Sequence, residues 1–352
     1  MPFQPDYRHM LCVMQNKRPE RLPLYEHLIN TPVMEKILGY KFADLLLGNE
    51  PDQRSFFNHY CRFYKCMTYD TVSFEVCVSD IIPDHGAIYG GRPGPIQSRD
   101  DFNKFPWQEV PALYWQKAHP QFRALSTSLP AGMKAVGGIG NGVFEICEEL
   151  VGFEYLCLMQ AQDPDLFSDI FQKTGDLLLT LWKGFLDLYS DYFVVCRIGD
   201  DLGYKTGTLL APYTIKKHII PQYQRLINLI HAHNVPFLLH SCGNIFTVMD
   251  DLIFAGIDGK HSNEDIIAPF DHWIETYSHR IALLGGIDVD LLCQKKSQEI
   301  FDYVVARGIN YRKNARGFAL GSGNSIPEFV PIEGYLALVN ATQRIRSLES
   351  KT

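Results

Sequence analysis

Short apolar runs alternate with longer amphipathic segments along almost the whole chain. Each run has the length and composition of a strand, and the segments between runs repeat apolar residues at helical spacing. This alternation is typical of parallel βα units. Eight strands are predicted, at residues 22–25, 71–74, 134–139, 192–198, 236–239, 259–261, 281–285 and 317–320.

Two of the predicted helices have distinct sequence features. Residues 213–233 place apolar side chains on one face, and Pro221 predicts a kink because its ring nitrogen cannot donate a helical hydrogen bond. A second helix is expected over residues 290–307, with an aspartate at its start and Gly308 as its stop signal.

Eight βα units predict an α/β fold, the (β/α)8 or TIM barrel, formed as a single domain by residues 1–352. Residues 1–20 precede the first strand and are expected to pack as a helical extension outside the barrel. Residues 78–130 follow the second strand and contain many prolines and glycines. Because this segment exceeds the usual length of a βα connection, we expect a long loop insert that acts as a lid over the barrel mouth.

Polar side chains stand where the predicted strands end. In a TIM barrel, the C-terminal ends of all eight strands meet at one face, where the chemistry takes place. These side chains are therefore candidates for one shared site. They are Glu26, Glu75, Asn141, Asp200, Asp201, His240, Cys242, Asn263, Glu264, Asp288, Ser322 and Asn324.

The fifth predicted strand ends in His240-x-Cys242, followed by Gly243. Two residues apart on an extended backbone, His240 and Cys242 project to the same side and can contact one atom. Imidazole and thiolate are ligands that zinc prefers, so we interpret the pair as a candidate zinc site. The alternative is that Cys242 is a small buried residue and His240 a hydrogen-bonded one.

Two adjacent aspartates, Asp200 and Asp201, lie where the fourth predicted strand leaves the barrel. Neighbouring residues on a strand face opposite ways, so one carboxylate is expected to point inward while the other holds the loop. Burial beside another carboxylate would raise the pKa of the inward acid, which suits a general acid. A turn without chemistry is the alternative.

Glycine-rich segments follow the third and eighth predicted strands. Residues 321–325 follow the eighth strand, where barrels bind anions through backbone N–H groups. Residues 137–142 do not fit a dinucleotide-binding motif. The motifs H-E-x-x-H and G-x-S-x-G and the P-loop are absent, which argues against serine hydrolases and nucleotide hydrolases.

Charge and composition narrow the class of partner. The net charge is −7, and lysines and arginines form no basic run, which argues against binding nucleic acid or an anionic membrane surface. No apolar run reaches the length of about 18 residues needed to span a membrane, and the first residues lack the features of a secretory signal. The nine cysteines include no C-x-x-C. We expect a cytoplasmic protein with reduced thiols that acts on a small molecule.

Five segments resemble the uroporphyrinogen decarboxylase superfamily. The resemblance spans nearly the full chain and implies the TIM barrel. It also implies one of two enzyme classes, the porphyrinogen decarboxylases or the zinc-dependent methyltransferases that serve corrinoid proteins. The segments are RPERLPLYE at residues 18–26, GDDLG at 199–203, LHSCGN at 239–244, GID at 286–288 and GSGNSIP at 321–327.

One departure from the family pattern argues against the porphyrinogen decarboxylases. These enzymes carry a Met-Arg-Gln-x-Gly-Arg-Tyr segment after the first strand, whose arginines bind the substrate carboxylates, whereas residues 25–32 here are YEHLINTP. Without cationic partners, a substrate with many carboxylates cannot be held. Glu75 lies where these enzymes have their catalytic aspartate, and Asp80 follows a little further on.

A second departure concerns the metal site of the methyltransferases. Members of this class bind zinc with a His-x-Cys pair and a second cysteine at the end of the eighth strand. His240 and Cys242 match the pair, but Ser322 stands at the position of the second cysteine. A neutral hydroxyl is a poor zinc ligand, so either the third ligand comes from elsewhere or the metal is absent. The candidates by reach are Glu26, Cys77 and Glu264.

The resemblance predicts transfer of a methyl group between a small methylated compound or thiol and a corrinoid protein. Asp200, Asp201 and Glu75 are the candidate catalytic acids. The chain has no D-x-H-x-x-G cobamide motif, so the corrinoid is expected on a separate protein, and a homodimer is left open. The candidate substrate-binding residues are Glu26, Asn141, Tyr204, Asn263, Glu264, Asp288, Ser322 and Asn324.

Two alternative functions stay open. The first is a decarboxylase or lyase that acts on a small carboxylate, with Asp200 and Asp201 as acids and residues 321–325 as the anion site. The second is a metal-free ligand-binding homologue, which is suggested by Ser322 in place of a cysteine ligand.

Overall fold

The computed structural model describes residues 3–349, and its main sheet consists of seven parallel strands. Each strand of this sheet pairs with the next one along the chain, and the sheet curls into a barrel wall. The strands are β1 (Thr71–Cys77), β2 (Lys134–Gly140), β3 (Phe193–Gly199), β4 (Phe237–His240), β5 (Gly259–His261), β6 (Ala282–Ile287) and β7 (Phe318–Ser322).

The predicted first strand, which should complete the barrel, is reduced to a single bridge. Leu24 pairs with Leu320 of β7. Pro23 accepts from the Leu320 N–H at 3.0 Å but has no N–H of its own with which to extend the ladder. On the side of β1, the Ser73 hydroxyl donates to the backbone carbonyl of Glu26 and joins the two edges. The barrel thus closes through two isolated backbone bridges on one side, Leu24–Leu320 and Ile29–Ile326, and a side-chain hydrogen bond on the other.

The predicted α/β fold, a (β/α)8 TIM barrel, is confirmed. Helices follow the strands in sequence and surround the sheet. They are α1 (Arg8–Met14), α2 (Thr31–Leu38), α3 (Glu50–Cys66), α4 (Arg99–Lys104), α5 (Val110–Ser128), α6 (Val143–Val151), α7 (Phe153–Gln162), α8 (Pro164–Tyr189), α9 (Pro212–Thr214), α10 (Ile220–Ala232), α11 (Met249–Ala255), α12 (Phe270–Tyr277), α13 (Val289–Gln294), α14 (Ser297–Asn314) and α15 (Ile332–Glu349). None of the helices within residues 3–349 has the length and apolar content to cross a bilayer.

Helix α1 closes the barrel at the end opposite the C-terminal ends of the strands. Met10, Val13 and Met14 are buried in one cluster with side chains from the N-terminal halves of the strands, such as Val136 and Ala282. The expected helical extension over residues 1–20 therefore contains one short helix under the barrel, and residues 1–2 lie outside the described residues.

The predicted insert at residues 78–130 contains a loop followed by α4 and α5. The loop packs on α6, because the Gly94 N–H donates to the Val151 carbonyl at 2.9 Å and the Ala87 N–H donates to the Glu149 carboxylate at 3.1 Å. Helix α6 begins directly after β2, at the C-terminal face of the barrel. The proposed role of this loop as a lid stays a prediction.

Two helices differ from the sequence expectation. The kink expected at Pro221 is a π-turn at Ile215–Ile219, which lies between α9 and α10. The stop expected at Gly308 is wrong, since α14 continues to Asn314. Gly308 is buried, and a side chain there would collide with Ile345 of α15. This glycine allows two helices to approach closely, and it does not end one.

The buried carboxylate of Glu35 in α2 gives a stability prediction. Burial opposes its ionisation, but hydrogen bonds from Lys41 Nζ and from the N–H groups of Phe42 and Ala43 outweigh burial and lower the pKa of Glu35 to about 2. We expect Glu35→Gln to lower the free energy of unfolding at pH 7 by about 2 kcal/mol, because one of the bonded oxygens is lost.

A pH series checks the sign of this effect. The folded-state pKa lies below the unfolded value, so the stabilisation is present above pH 4.5 and is lost as pH falls toward 2. Urea unfolding at pH 7 and pH 3 should show the difference between wild type and Glu35→Gln shrinking at the lower pH. Glu328→Gln, which removes an exposed partner of Lys36, is the matched control and should change stability by less than about 0.5 kcal/mol. Equal effects of the two variants would contradict the prediction.

Candidate active site

His240 ends β4, and Cys242 lies in the turn that leaves the barrel at its C-terminal face. The Ser241 N–H donates to the carbonyl of His261 in β5 at 2.8 Å, which keeps the chain extended as far as Ser241. Gly243 then has a φ of +81°, and a side chain there would collide with the backbone of the neighbouring loop. The turn holds Cys242 beside His240, with 3.5 Å between Sγ and Nε2.

Hydrogen bonds determine which nitrogen of His240 can bind a metal. Burial lowers the pKa of His261 to about 3 and the pKa of His240 well below its usual range, so both rings are neutral. His261 Nε2 lies 3.0 Å from the Ser322 carbonyl, which can only accept, so the proton of His261 is on Nε2. His261 Nδ1 therefore accepts from His240 Nδ1 at 2.8 Å. This leaves His240 Nε2 with a lone pair beside Cys242.

A carboxylate completes this group of ligand atoms. Ligand atoms of Asp201, His240 and Cys242 all lie within 4.8 Å of one another. Asp201 Oδ1 also accepts from the Cys242 N–H at 2.8 Å, which ties the carboxylate to the turn.

The spacing of the nitrogen and sulfur ligands fits zinc. Zinc bonds of about 2.3 Å to sulfur and about 2.0 Å to nitrogen, at a tetrahedral angle, place the two ligand atoms about 3.5 Å apart. The distance from Cys242 Sγ to His240 Nε2 is 3.5 Å. Together with the carboxylate of Asp201, these two residues form a donor set suited to this metal.

The three residues proposed from sequence as third ligands are placed elsewhere. Within residues 3–349, neither group of potential ligand atoms includes Glu26, Cys77 or Glu264. Glu26 is buried, which raises its pKa to about 8, and it accepts from the backbone N–H of Ser322 at 2.9 Å and from the Ser322 hydroxyl. Glu264 Oε1 accepts from Asn324 at 3.2 Å. Asp201, expected from sequence as a general acid, lies closer to the His-x-Cys pair.

Asp200 and Asp201 face opposite ways, as the strand geometry predicted. Asp200 is fully buried and accepts from the N–H groups of Phe144 and Glu145 at 3.0 and 2.8 Å, and from the Tyr223 hydroxyl. Burial raises the pKa of Asp200 to about 6. Its position at the start of α6 joins β3 to that helix, whereas Asp201 faces the turn that contains Cys242.

A cavity of about 460 Å³ opens next to Asn324, and none of the three candidate metal ligands lines it. Asn324 connects the two features, because its Nδ2 lies 3.5 Å from Cys242 Sγ and 3.2 Å from Glu264 Oε1. Tyr204 is exposed on the two-residue strand Gly203–Tyr204, next to Lys205 of the cavity wall. Four residues expected to bind substrate line the cavity, namely Asn263, Glu264, Asp288 and Asn324.

Comparisons with known proteins agree with this fold. Residues 94–345 match the family model described as uroporphyrinogen decarboxylase (URO-D). The chain belongs to the uroporphyrinogen decarboxylase family. Comparison with curated protein sequences gives no match. The family resemblance proposed from the sequence is confirmed.

Two solved structures share the fold of this uroporphyrinogen decarboxylase family member. A methyltransferase from Methanosarcina mazei is 14% identical with a TM-score of 0.70, and the alignment covers 96% of this chain and 97% of that chain. A B12-independent methionine synthase from Shewanella sp. W3-18-1, in complex with selenomethionine, is 11% identical with a TM-score of 0.51. That alignment covers 86% of this chain and 90% of the synthase chain.

Glu75 of this family member lies inside the barrel and is paired with a cation. Arg197 Nη2 of β3 donates to Glu75 Oε2 at 2.6 Å, and Arg197 Nη1 donates to the carbonyl of His27 at 2.7 Å. Both side chains are buried. The guanidinium is therefore occupied by groups of the protein itself. The sequence analysis did not single out Arg197, because its neighbours in β3 are apolar.

Two histidines beside His240 were also missed. The His27 ring stacks on His240 with 3.7 Å between centroids, and His261 bonds to His240 Nδ1. Ligand atoms of the three rings lie within 4.8 Å of one another, but the nearly parallel stacking keeps the lone pairs of His27 and His240 from converging on one ion. His27 follows Glu26 and His261 ends the sixth predicted strand, so the rule that strand ends carry the site could have found both.

Glu145 is a further buried acid that sequence reasoning missed. It accepts from the Asp201 N–H at 3.2 Å and from Asn141 Nδ2 at 2.8 Å. Burial, followed by the charges of Asp200 and Asp201, raises the pKa of Glu145 well above its usual range. Glu145 thus positions the backbone that carries Asp201. Asn141, an expected substrate-binding residue, serves the same local network.

Burial and the neighbouring charge of Asp201 raise the pKa of the Cys242 thiol. A divalent cation reverses this preference, because a coordinating thiol is deprotonated. Asn324 Nδ2, at 3.5 Å from Sγ, could then donate to the thiolate. The surroundings of Cys242 therefore disfavour a free thiolate and favour one that is bound to a cation.

Proposed function

We propose that the protein is a zinc-dependent methyltransferase that moves a methyl group between a small methylated compound or thiol and the corrinoid of a separate protein. The observation that carries this proposal is the convergence of His240 Nε2, Cys242 Sγ and the Asp201 carboxylate, which Asn324 links to an open cavity. The distance of 3.5 Å between the nitrogen and sulfur atoms supports zinc.

Some residues of the site would bind the metal, and others hold those ligands in position. His240 presents a lone pair because His261 fixes its tautomer, and the turn at Gly243 presents Cys242. When bound, zinc would hold an accepting thiol as thiolate or polarise the heteroatom of a methyl donor. One ligand position would stay open for this substrate, since the chain supplies three ligands.

The setting that we propose is the cytoplasm. All nine cysteines are free thiols, which agrees with a reducing compartment. The cavity of about 460 Å³ suits a small molecule. The corrinoid would enter at the C-terminal face of the barrel on its own protein.

A methyl-transfer assay tests the proposal. Zinc-loaded protein is mixed with free methylcobalamin and a small thiol. The thiolate sulfur attacks the methyl carbon, the Co–C bond breaks with its electron pair on cobalt, and the thioether is released. We expect loss of the methylcobalamin absorbance together with a thioether heavier by one methylene unit in mass spectrometry. The Cys242→Ala variant should be inactive, because it lacks the sulfur ligand.

Two results would contradict the proposal. One is the absence of any spectral change with folded, zinc-loaded protein across a series of thiols and methyl donors. The other is release of CO2 from a small carboxylate without methyl transfer, which would support a decarboxylase instead. Tight ligand binding without bound metal or turnover would support a binding protein.

A further inference from the structure

The cavity that Asn324 links to the candidate zinc ligands is lined by more acidic than basic side chains, and the proposed function does not explain this charge. Its wall contains three carboxylates, Glu264, Asp288 and Asp290, and one cation, Lys205. A neutral methyl ether or thioether has no charge to complement three carboxylates. An anionic substrate would be repelled by them.

These carboxylates lack ionic partners from the protein. Within residues 3–349, no lysine, arginine or histidine lies within ion-pair distance of any of the three. Glu264 accepts from the neutral amide of Asn324 at 3.2 Å. Asp288 accepts from the backbone N–H groups of Asp265 and Asp290, both at 2.8 Å. The cavity therefore retains a net negative charge that a bound cation can balance.

The remaining wall of the cavity is apolar. It is formed by Ile266, Val289, Pro327 and Phe329. The side chains of Ile266 and Phe329 are largely exposed to the solvent. An apolar face next to carboxylates is suited to a cation that carries methyl groups, because the methyl groups pack on the apolar side chains while the carboxylates balance the charge.

We infer that the substrate bound in this cavity is a methylated ammonium cation, with its positive charge among Glu264, Asp288 and Asp290 and its methyl groups against Phe329 and Ile266. This inference rests on the proposed methyl transfer and names its donor class. Asn324, which lines the cavity and lies 3.5 Å from Cys242 Sγ, is the link between this cavity and the candidate metal ligands.

The chemistry of such a donor balances without an added proton. The acceptor, a thiolate or a reduced corrinoid, uses its electron pair to form the new bond to the methyl carbon. The C–N bond breaks and its electron pair stays on nitrogen. A quaternary ammonium ion therefore leaves as a tertiary amine, and the step itself takes no proton from the protein.

Binding of two molecules of the same shape tests the inference. Choline and its carbon isostere 3,3-dimethylbutan-1-ol differ only in the charged nitrogen. Titration calorimetry with the full chain, without any methyl acceptor, should show choline binding at least about 10-fold more tightly than the isostere. The difference should shrink as sodium chloride is raised, because salt screens the carboxylates.

Two variants and a control assign the effect to this cavity. Asp290→Asn should weaken choline binding by about 3-fold to 10-fold and leave the isostere unchanged. Phe329→Leu keeps apolar volume but removes the ring, and should weaken choline binding by about 2-fold to 5-fold. Asp100→Asn, which changes an exposed acid on α4 by the same charge, should have no effect.

Equal affinity for the two probes, or no detectable choline binding by folded protein, would overturn the inference. Either result leaves methyl transfer from a neutral donor untouched. Conversely, selective choline binding by a protein that transfers no methyl group would remove the proposed function and retain a cation-binding cavity. The two failures are therefore distinguishable.

Discussion

Replacing Cys242 with alanine is expected to release zinc from the protein while leaving the fold intact. Cys242 supplies the only sulfur among the candidate ligands Asp201, His240 and Cys242. Its loss should weaken zinc affinity by at least about 100-fold, because even residues that only support metal ligands commonly cost about 10-fold to 100-fold. Cys242 lies half-buried in a turn, so the cost to the free energy of unfolding should be below about 1.5 kcal/mol.

Metal content and unfolding are measured on the same preparations. Elemental analysis of dialysed protein should give close to one zinc per wild-type chain and almost none for Cys242→Ala. Cys77→Ala is the matched control, since Cys77 lies in the same barrel but outside the group of ligand atoms. Equal zinc content in Cys242→Ala and wild type would contradict the assignment. Zinc loss in Cys77→Ala alone would make Cys77 the ligand.

The two adjacent aspartates are expected to separate into a stability role and a metal role. Asp200→Asn should lower the free energy of unfolding by about 3 kcal/mol, because the buried carboxylate accepts from two backbone N–H groups and the Tyr223 hydroxyl. An amide NH2 in place of one oxygen would face these donors without accepting from them. Asp201→Asn should change stability by less than about 1 kcal/mol, since its oxygen can still accept from the Cys242 N–H.

Urea unfolding and zinc titration distinguish the two roles. Asp201→Asn should bind zinc at least about 10-fold more weakly than wild type, because a neutral amide oxygen is a poorer ligand than a carboxylate. If Asp200→Asn does not fold, Tyr223→Phe removes one of the three donors and should cost about 1 kcal/mol. An Asp201→Asn variant with unchanged zinc affinity would show that Asp201 is no ligand. An Asp200→Asn variant as stable as wild type would contradict its structural role.

Much of the fold could be predicted from the sequence, because strand and helix periodicities differ and seven of the eight predicted strands recur in the structure. The strand predicted at residues 22–25 did not form, for a local reason that the sequence already contained. Pro23 has no N–H with which to extend the ladder with β7, and on the opposite side the Ser73 hydroxyl joins this segment to β1. The role of Gly308 was missed because its helix-packing contact with Ile345 lies in another part of the chain.

The candidate site was predicted in part. The spacing of His240 and Cys242 predicted convergence on one atom, and the structure brings their ligand atoms to 3.5 Å. The third candidate ligand, Asp201, could not be predicted, because sheet register and the path of the loops decide which side chains of different strands meet. Register pairs Gly199 with His240, so the residues after β3 face the turn after β4 and Asp201 lies beside Cys242. Glu26, in contrast, is directed to Ser322.

The histidine network depends on tertiary structure in the same way. His261 fixes the tautomer of His240 only because β4 and β5 pair with His240 opposite His261. A sequence shows that both residues end strands, but it does not show that one ring donates to the other. The direction of the free lone pair on His240, and with it the ability to bind zinc, follows from this contact.

X-ray absorption at the zinc edge tests the central claim most directly. The account predicts one zinc per chain, bound by one sulfur at about 2.3 Å and by nitrogen and oxygen ligands at about 2.0 to 2.2 Å, with the sulfur signal lost in any zinc that Cys242→Ala retains. A protein that binds no zinc, or a zinc site without sulfur in the wild type, would contradict it.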